Sequence, residues 1–211
     1  MKNLRSVAVF CGSSDGASEK YMRLASALGE KCAEHSLSVY YGGAKLGLMG
    51  AVAEAALQKN GKVIGIMPDF FAEDVVSAKN LSQMIYVKSM SERKQLMERL
   101  ADAFITLPGS FGTMDELFEI IVDAQLGIHH KPIVLLNYDG YYDALLSQIQ
   151  RFLDEGFLRP FHRSLILTAT TVDEVLPASK ILNIRMIAIG LGPIPSGSER
   201  RLLNCLLEMQ K

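Results

Sequence analysis

Cysteine is scarce in this chain of 211 residues. Cys11, Cys32 and Cys205 are scattered and odd in number, with no CxxC pair. That excludes a disulfide framework and points to a reducing cytoplasm. An excess of charge of either sign is missing too. The 22 basic and 23 acidic residues leave a net charge of -1, which argues against a general nucleic-acid binder. No apolar run suits a membrane span. The longest, Met186 to Pro195, is about half the required length and carries two glycines and two prolines. Val7 to Cys11 is likewise too short for a signal-peptide core. The HExxH and Cys/His zinc patterns are absent, and His129-His130 lacks metal-ligand spacing. There is no internal repeat and no low-complexity segment.

What is present is an ordinary globular composition, 49% apolar and 21% charged, in a chain long enough to bury a core without staples. Short β-rich runs alternate with helical patterns. Strands are predicted at Val7–Phe10, Ser38–Tyr41, Val63–Met67, Met84–Val87, Ala103–Leu107, Ile133–Leu136 and Leu165–Thr168. Their apolar character is nearly continuous, as in parallel strands covered on both faces. Helices are predicted over Ser18–His35, Leu46–Asn60, Ser91–Asp102, Met114–Ile128, Tyr141–Glu155 and Val172–Leu182. The alternation predicts an α/β fold: a Rossmann-like, doubly wound, mainly parallel sheet of about seven strands flanked by helices. We expect one domain over 1–211. In the tail after Leu182, Ser196 and Glu199 have capping-box spacing ahead of an apolar-periodic run, which predicts a terminal helix.

Ligands of such folds bind beyond the carboxyl ends of the strands, so the strand-to-helix turns are the places to search. They read CGSSDGAS from Cys11, YGGAKLGLMG from Tyr41 and LPGSFGTMDE from Leu107. The last is the most informative. Open N–H groups at a helix start bind anions, and Gly109 and Gly112 would let backbone approach a phosphate. The same residues also fit a capping box, in which Glu116 merely reaches back to the Thr113 N–H. The second turn is neither a Walker A loop nor GxGxxG, and Gly47 and Gly50 could serve only close helix–sheet packing. In the first, Ser13 and Ser14 could donate to phosphate or ribose, or simply cap a turn. Cys11 reads as a small buried residue rather than a nucleophile. Ser89 and Glu92 have capping spacing, and Arg93 and Lys94 place two cations at a helix start, against the dipole. That placement fits an anion partner or a solvated charged face. Glu116, Glu119 and Asp123 share a helix face.

Taken together, these motifs resemble the LONELY GUY (LOG) family of nucleoside 5′-monophosphate phosphoribohydrolases. Its members are often catalogued as possible lysine decarboxylases. The family signature PGGxGTxxE is matched by PGSFGTMDE at 108–116. The CGSS turn is matched at Cys11–Ser14, the GGGxxGLMG turn at Gly42–Gly50 and the MxxRK helix start at Met90–Lys94. QLGIHHKPIVLLNYDGYY at 125–142 and EGF at 155–157 are also similar. The resemblance covers a core of about 5–182 and leaves 183–211 as an extra strand or helix tail. Ser110, Asp115, Ala44 and Ser91 depart from the usual Gly, Glu, Gly and His.

The resemblance implies hydrolysis of the N-glycosidic bond of a purine nucleoside 5′-monophosphate, AMP or an N6-modified AMP, to free base and ribose 5-phosphate. Glu116 and Arg93 would be catalytic. Gly109, Ser110, Phe111, Gly112, Thr113, Asp115, Lys94, Gly43, Ser13 and Ser14 would bind substrate and phosphate. No metal and no cofactor is expected, and the implied assembly is a homodimer without nucleic acid or membrane. A rival reading is a non-catalytic nucleotide-binding sensor on the same fold. A pyridoxal-phosphate decarboxylase fits poorly: Lys45 and Lys94 lie near the turns, but no pyridoxal-site constellation is visible.

Overall fold

All seven strands run the same way, in the order β4-β3-β2-β1-β5-β6-β7. The computed structural model describes residues 4–71 and 80–176. The strands are β1 (Ser6–Phe10), β2 (Ser38–Tyr41), β3 (Val63–Pro68), β4 (Gln83–Val87), β5 (Ala103–Thr106), β6 (Ile133–Leu136) and β7 (Ile166–Ala169). Every residue of β1, β3, β5 and β6 is buried, which explains their nearly continuous apolar sequence. β4 lies at the sheet edge and is mostly exposed or half-buried.

The helices are α1 (Glu19–Glu34), α2 (Gly47–Gln58), α3 (Met90–Leu100), α4 (Phe111–Gln125) and α5 (Asp143–Asp154). α1 begins where Ser18 accepts from the Lys20 N–H, and its Leu24, Ala25, Leu28 and Cys32 face the core. α2 buries mostly alanine, so α1 and α2 approach closely. A Cβ on Gly29 would sit 2.2 Å from the Val52 carbonyl. Side chains of these two helices form one apolar layer with Val7, Val9, Val39 and Ile105. Met97, Leu117, Ile120 and Ile149 form the opposite layer with Phe104, Ile133 and Leu135.

The predicted doubly wound sheet is therefore what the chain forms, with strand bounds within about two residues of expectation. α4 starts at Phe111 rather than Met114, so part of the presumed loop is its first turn. The last predicted helix is helical over residues 172–176, and its remainder, with the tail at 183–211, lies outside the described residues. The sheet order reverses at β1, flanked by β2 and β5, and the three glycine-rich turns all leave the carboxyl ends of these strands.

Candidate active site

Backbone contacts lock those three turns together. The Gly12 N–H donates to the Pro108 carbonyl at 3.0 Å, and the Met49 N–H donates to the Gly12 carbonyl at 3.4 Å. Gly47 has φ +63, and a Cβ there would lie 2.3 Å from the Ser13 carbonyl carbon. Only glycine meets both demands. Ser13 and Ser14 thus sit exposed on a fixed rim.

The start of α4 forms one wall. Ser110 is its N-cap residue but makes no side-chain cap bond. Among the described residues, the N–H groups of Ser110, Phe111, Gly112 and Thr113 have no hydrogen-bond partner. A Cβ on Gly112 would meet nothing among the described residues, so no packing among them calls for glycine there. Gly109 differs: a Cβ would fall 2.0 Å from Thr113 Oγ1, so this glycine makes room for the threonine. Thr113 is buried, whereas Phe111 is 93% exposed. The capping-box alternative fails here. Thr113 lies inside the helix, and Glu116 turns toward α3 instead of back to the Thr113 N–H.

α3 supplies the facing side chain. Ser89 caps it by accepting from the Glu92 N–H at 3.1 Å, and Glu92 accepts from the Lys88 N–H at 2.8 Å. Arg93, one turn in, is only 8% exposed, and its Nη2 donates to Glu116 Oε1 at 2.7 Å. Its Nη1 lies 3.6 Å from Met90 Sδ, and its buried Nε has no partner among the described residues. Gly42 makes this possible, because a Cβ there would lie 2.3 Å from Arg93 Nη2.

Glu116 is 6% exposed. Burial pushes its pKa up to about 7; Arg93 pulls it down, Asp115 pushes it up and Lys94 pulls it down. A buried ion pair is a poor way to gain stability. A carboxyl brought near neutrality in a crevice suits proton chemistry. Cys11, buried beneath, is kept as a thiol by burial and by the charge of Glu116, which fits its reading as a packed residue.

Lys94 and Asp115, both expected at the substrate, pair with each other. Lys94 Nζ lies 3.0 and 2.9 Å from the two Asp115 oxygens and also pairs with Glu119. Burial opposes its charge, but the Glu119 and Asp115 bonds hold its pKa above the ordinary value. Gly43 (φ +78) packs on Met84 and Met67 beside Gly42. His129 is structural: Nε2 reaches the Ile120 carbonyl at 2.8 Å, and Nδ1 accepts from the Lys131 N–H at 3.1 Å. Sequence reasoning gave no role to Gly42, whose signal was the paired glycine after β2. It also passed over Tyr141 and Tyr142, whose hydroxyls reach the Gly109 and Leu107 carbonyls.

A parallel sheet with open helix N–H groups and a buried Arg–Glu pair at its switch point defines a Rossmann-like α/β protein. More particularly, the chain belongs to the LOG family, whose model, described as possible lysine decarboxylase, matches residues 49–178. It is 42% identical to the cytokinin riboside 5′-monophosphate phosphoribohydrolase LOG5 of Arabidopsis thaliana, over 86% of this chain and 81% of that one. It is also 42% identical to the enzyme of the same activity from Rhodococcoides fascians, over 82% and 88% of the two chains. A solved molybdenum cofactor binding protein from Rippkaea orientalis shares the fold, with a TM-score of 0.65 at 20% identity, over 86% of this chain and 99% of that one.

The family description brings pyridoxal phosphate to mind. Its Schiff base needs a lysine amine that can shed its proton. Lys94 is held charged by two carboxylates, so it does not fit that role. Among the described residues, no helix is long and apolar enough to cross a membrane.

Proposed function

We propose that this protein hydrolyses the N-glycosidic bond of a purine nucleoside 5′-monophosphate, AMP or an N6-modified AMP, to free base and ribose 5-phosphate. The observation that carries the proposal is the buried Arg93–Glu116 pair beside four open N–H groups at the start of α4. The activity named for the relatives agrees with it.

The 5′-phosphate occupies the turn from Gly109 to Thr113, where backbone N–H groups and the helix dipole meet its charge. Gly112 leaves room for close approach. Ser13 and Ser14 form the facing rim, with Gly43 buried in the turn behind them. The glycosidic bond then lies near Glu116. As it breaks, its electron pair moves to the base nitrogen, which takes up a proton from solvent, and positive charge grows on the ribose. Ionised Glu116 stabilises that charge, accepts a proton from the water that attacks C1′ and then returns it to solvent. Arg93 orients the carboxylate through Nη2. Asp115 and Lys94 act through Glu116 by setting its local field.

The test is incubation with AMP and isopentenyl-AMP, resolved by chromatography, with Glu116→Gln alongside. Free base from wild type alone supports the reading. Nucleotide bound but not cleaved would make the protein a sensor.

We further propose a homodimer in the cytoplasm, built as one domain with the tail attached. α4 turns Phe118 and Val122 outward, and Phe157 beside them is 88% exposed. With Ile121, Phe152 and Leu158 they line an apolar groove of about 420 Å³, and a second copy is its occupant.

A further inference from the structure

Three consecutive carbonyls of the loop after β5 are each held from outside that loop. Tyr142 donates its hydroxyl to the Leu107 carbonyl at 2.6 Å. The Gly12 N–H donates to the Pro108 carbonyl at 3.0 Å. Tyr141 donates its hydroxyl to the Gly109 carbonyl at 2.8 Å. In a trans peptide the C=O and the following N–H point to opposite sides of one rigid plane. Fixing the Pro108 carbonyl therefore aims the Gly109 N–H away from Gly12. Fixing the Gly109 carbonyl aims the Ser110 N–H away from Tyr141.

The tyrosines are themselves held in a frame that does not involve α4. Asn137 Oδ1 accepts from the Tyr142 N–H at 2.7 Å, and Asn137 Nδ2 donates to Asp143 Oδ1 at 2.7 Å. The Tyr141 ring meets Tyr142 edge-on at 4.8 Å and Tyr21 of α1 edge-on at 5.7 Å. Lys20 pairs with Asp139 across the same corner. Neither hydroxyl is bonded to Arg93 or Glu116.

We propose that Tyr141 and Tyr142 are positioning residues for phosphate recognition. Their hydroxyls hold the loop so that the N–H groups of Gly109 and Ser110 are presented to the substrate phosphate, in advance of binding. This rests on the reading of 109–113 as the phosphate cradle. It assigns the tyrosine pair to substrate affinity and leaves the chemical step to Arg93 and Glu116.

Tyr141→Phe removes only the hydroxyl and keeps the ring contacts. Titration calorimetry with ribose 5-phosphate should show its dissociation constant rise about fivefold, the worth of one ordinary hydrogen bond. In steady-state assays KM for AMP should rise by a similar factor, with kcat and the pH dependence of kcat unchanged. Tyr142→Phe should act in the same direction. Should that buried variant fail to fold, Tyr141→Phe alone decides. Wild type that binds ribose 5-phosphate with Tyr141→Phe binding equally well overturns the proposal. So does a variant whose kcat falls and whose pH profile moves, because the hydroxyl then serves the packing of the whole crevice. Wild type that ignores ribose 5-phosphate overturns the phosphate cradle and the proposal together.

Discussion

Arg93 Nη2 donates to Glu116 Oε1 at 2.7 Å, with α3 and α4 supplying one partner each and both side chains out of water. Because burial outweighs the arginine, Glu116 titrates near neutrality, at about 7. The ionised form is the one that can stabilise an oxocarbenium ion and take a proton from water. We expect kcat/KM for AMP to climb with pH through about 7 and then level off. Glu116→Gln should lose on the order of a thousandfold and show no such limb. Activity that falls through the same range would assign the carboxyl the acid's role instead.

The same shift makes a stability prediction. Glu116 holds its proton more tightly in the folded protein than at its ordinary pKa of 4.5. Folding stability therefore drops as pH rises from about 4.5 to about 7, and the cost is complete above that. A rise of this size corresponds to roughly 3 kcal/mol. Glu116→Gln, neutral and isosteric, should melt higher than wild type near pH 8, with the gap closing near pH 5. A gap that is the same at both values would show that burying this charge costs nothing.

Gly42 leaves room for the Arg93 guanidinium. Alanine there would put a Cβ 2.3 Å from Nη2 and 2.8 Å from Met49 Sδ, so the arginine must move. The φ of Gly42 is not positive, so the backbone tolerates the change. Gly42→Ala should keep its far-UV circular dichroism while kcat falls on the order of a hundredfold, as displacements near 1 Å can do. Unchanged turnover would mean that Arg93 need not sit where it does.

Lys94 and Asp115 offer a paired test of the field at Glu116. Lys94 lowers the Glu116 pKa and Asp115 raises it. Lys94→Met should move the acidic limb of the rate profile to higher pH, and Asp115→Asn should move it lower. Shifts of the same sign, or none, would show that this pair does not tune the carboxyl.

Much of this could be read from residue order, and the exceptions have specific causes. Ile133–Leu136 reads as a strand because all four residues are apolar and buried on both faces. Arg93 and Glu116 were flagged by their motifs, at the starts of helices following strands. Their contact joins residues 23 apart and exists only once α3 and α4 pack on the sheet. The Lys94–Asp115 pair, 21 apart, was hidden for the same reason. Sequence places the start of α4 at Met114 because Thr113 and Glu116 mimic a capping box; burial of Thr113 under Gly109 is a three-dimensional fact. The tyrosine pair in NYDGYY looks like turn chemistry, and its bonds reach back 32 and 35 residues.

The outer face of α4 completes the set. Glu116 points inward from this helix, while Phe118 and Val122, four residues apart, share its solvent side. Val122 is 48% exposed, in a stretch that continues through Leu126 and Ile128, both also exposed. An apolar helix face of this extent needs a cover. Sedimentation velocity should find wild type at about twice the 23.2 kDa of one chain. Val122→Glu would bury two uncompensated carboxylates in a symmetric contact, so it should sediment as a monomer. Wild type sedimenting as a single chain would rule the dimer out. A monomeric variant with full turnover would show that each crevice is complete within one chain. Lost turnover with an unmoved Glu116 limb would show that assembly holds α4 in place.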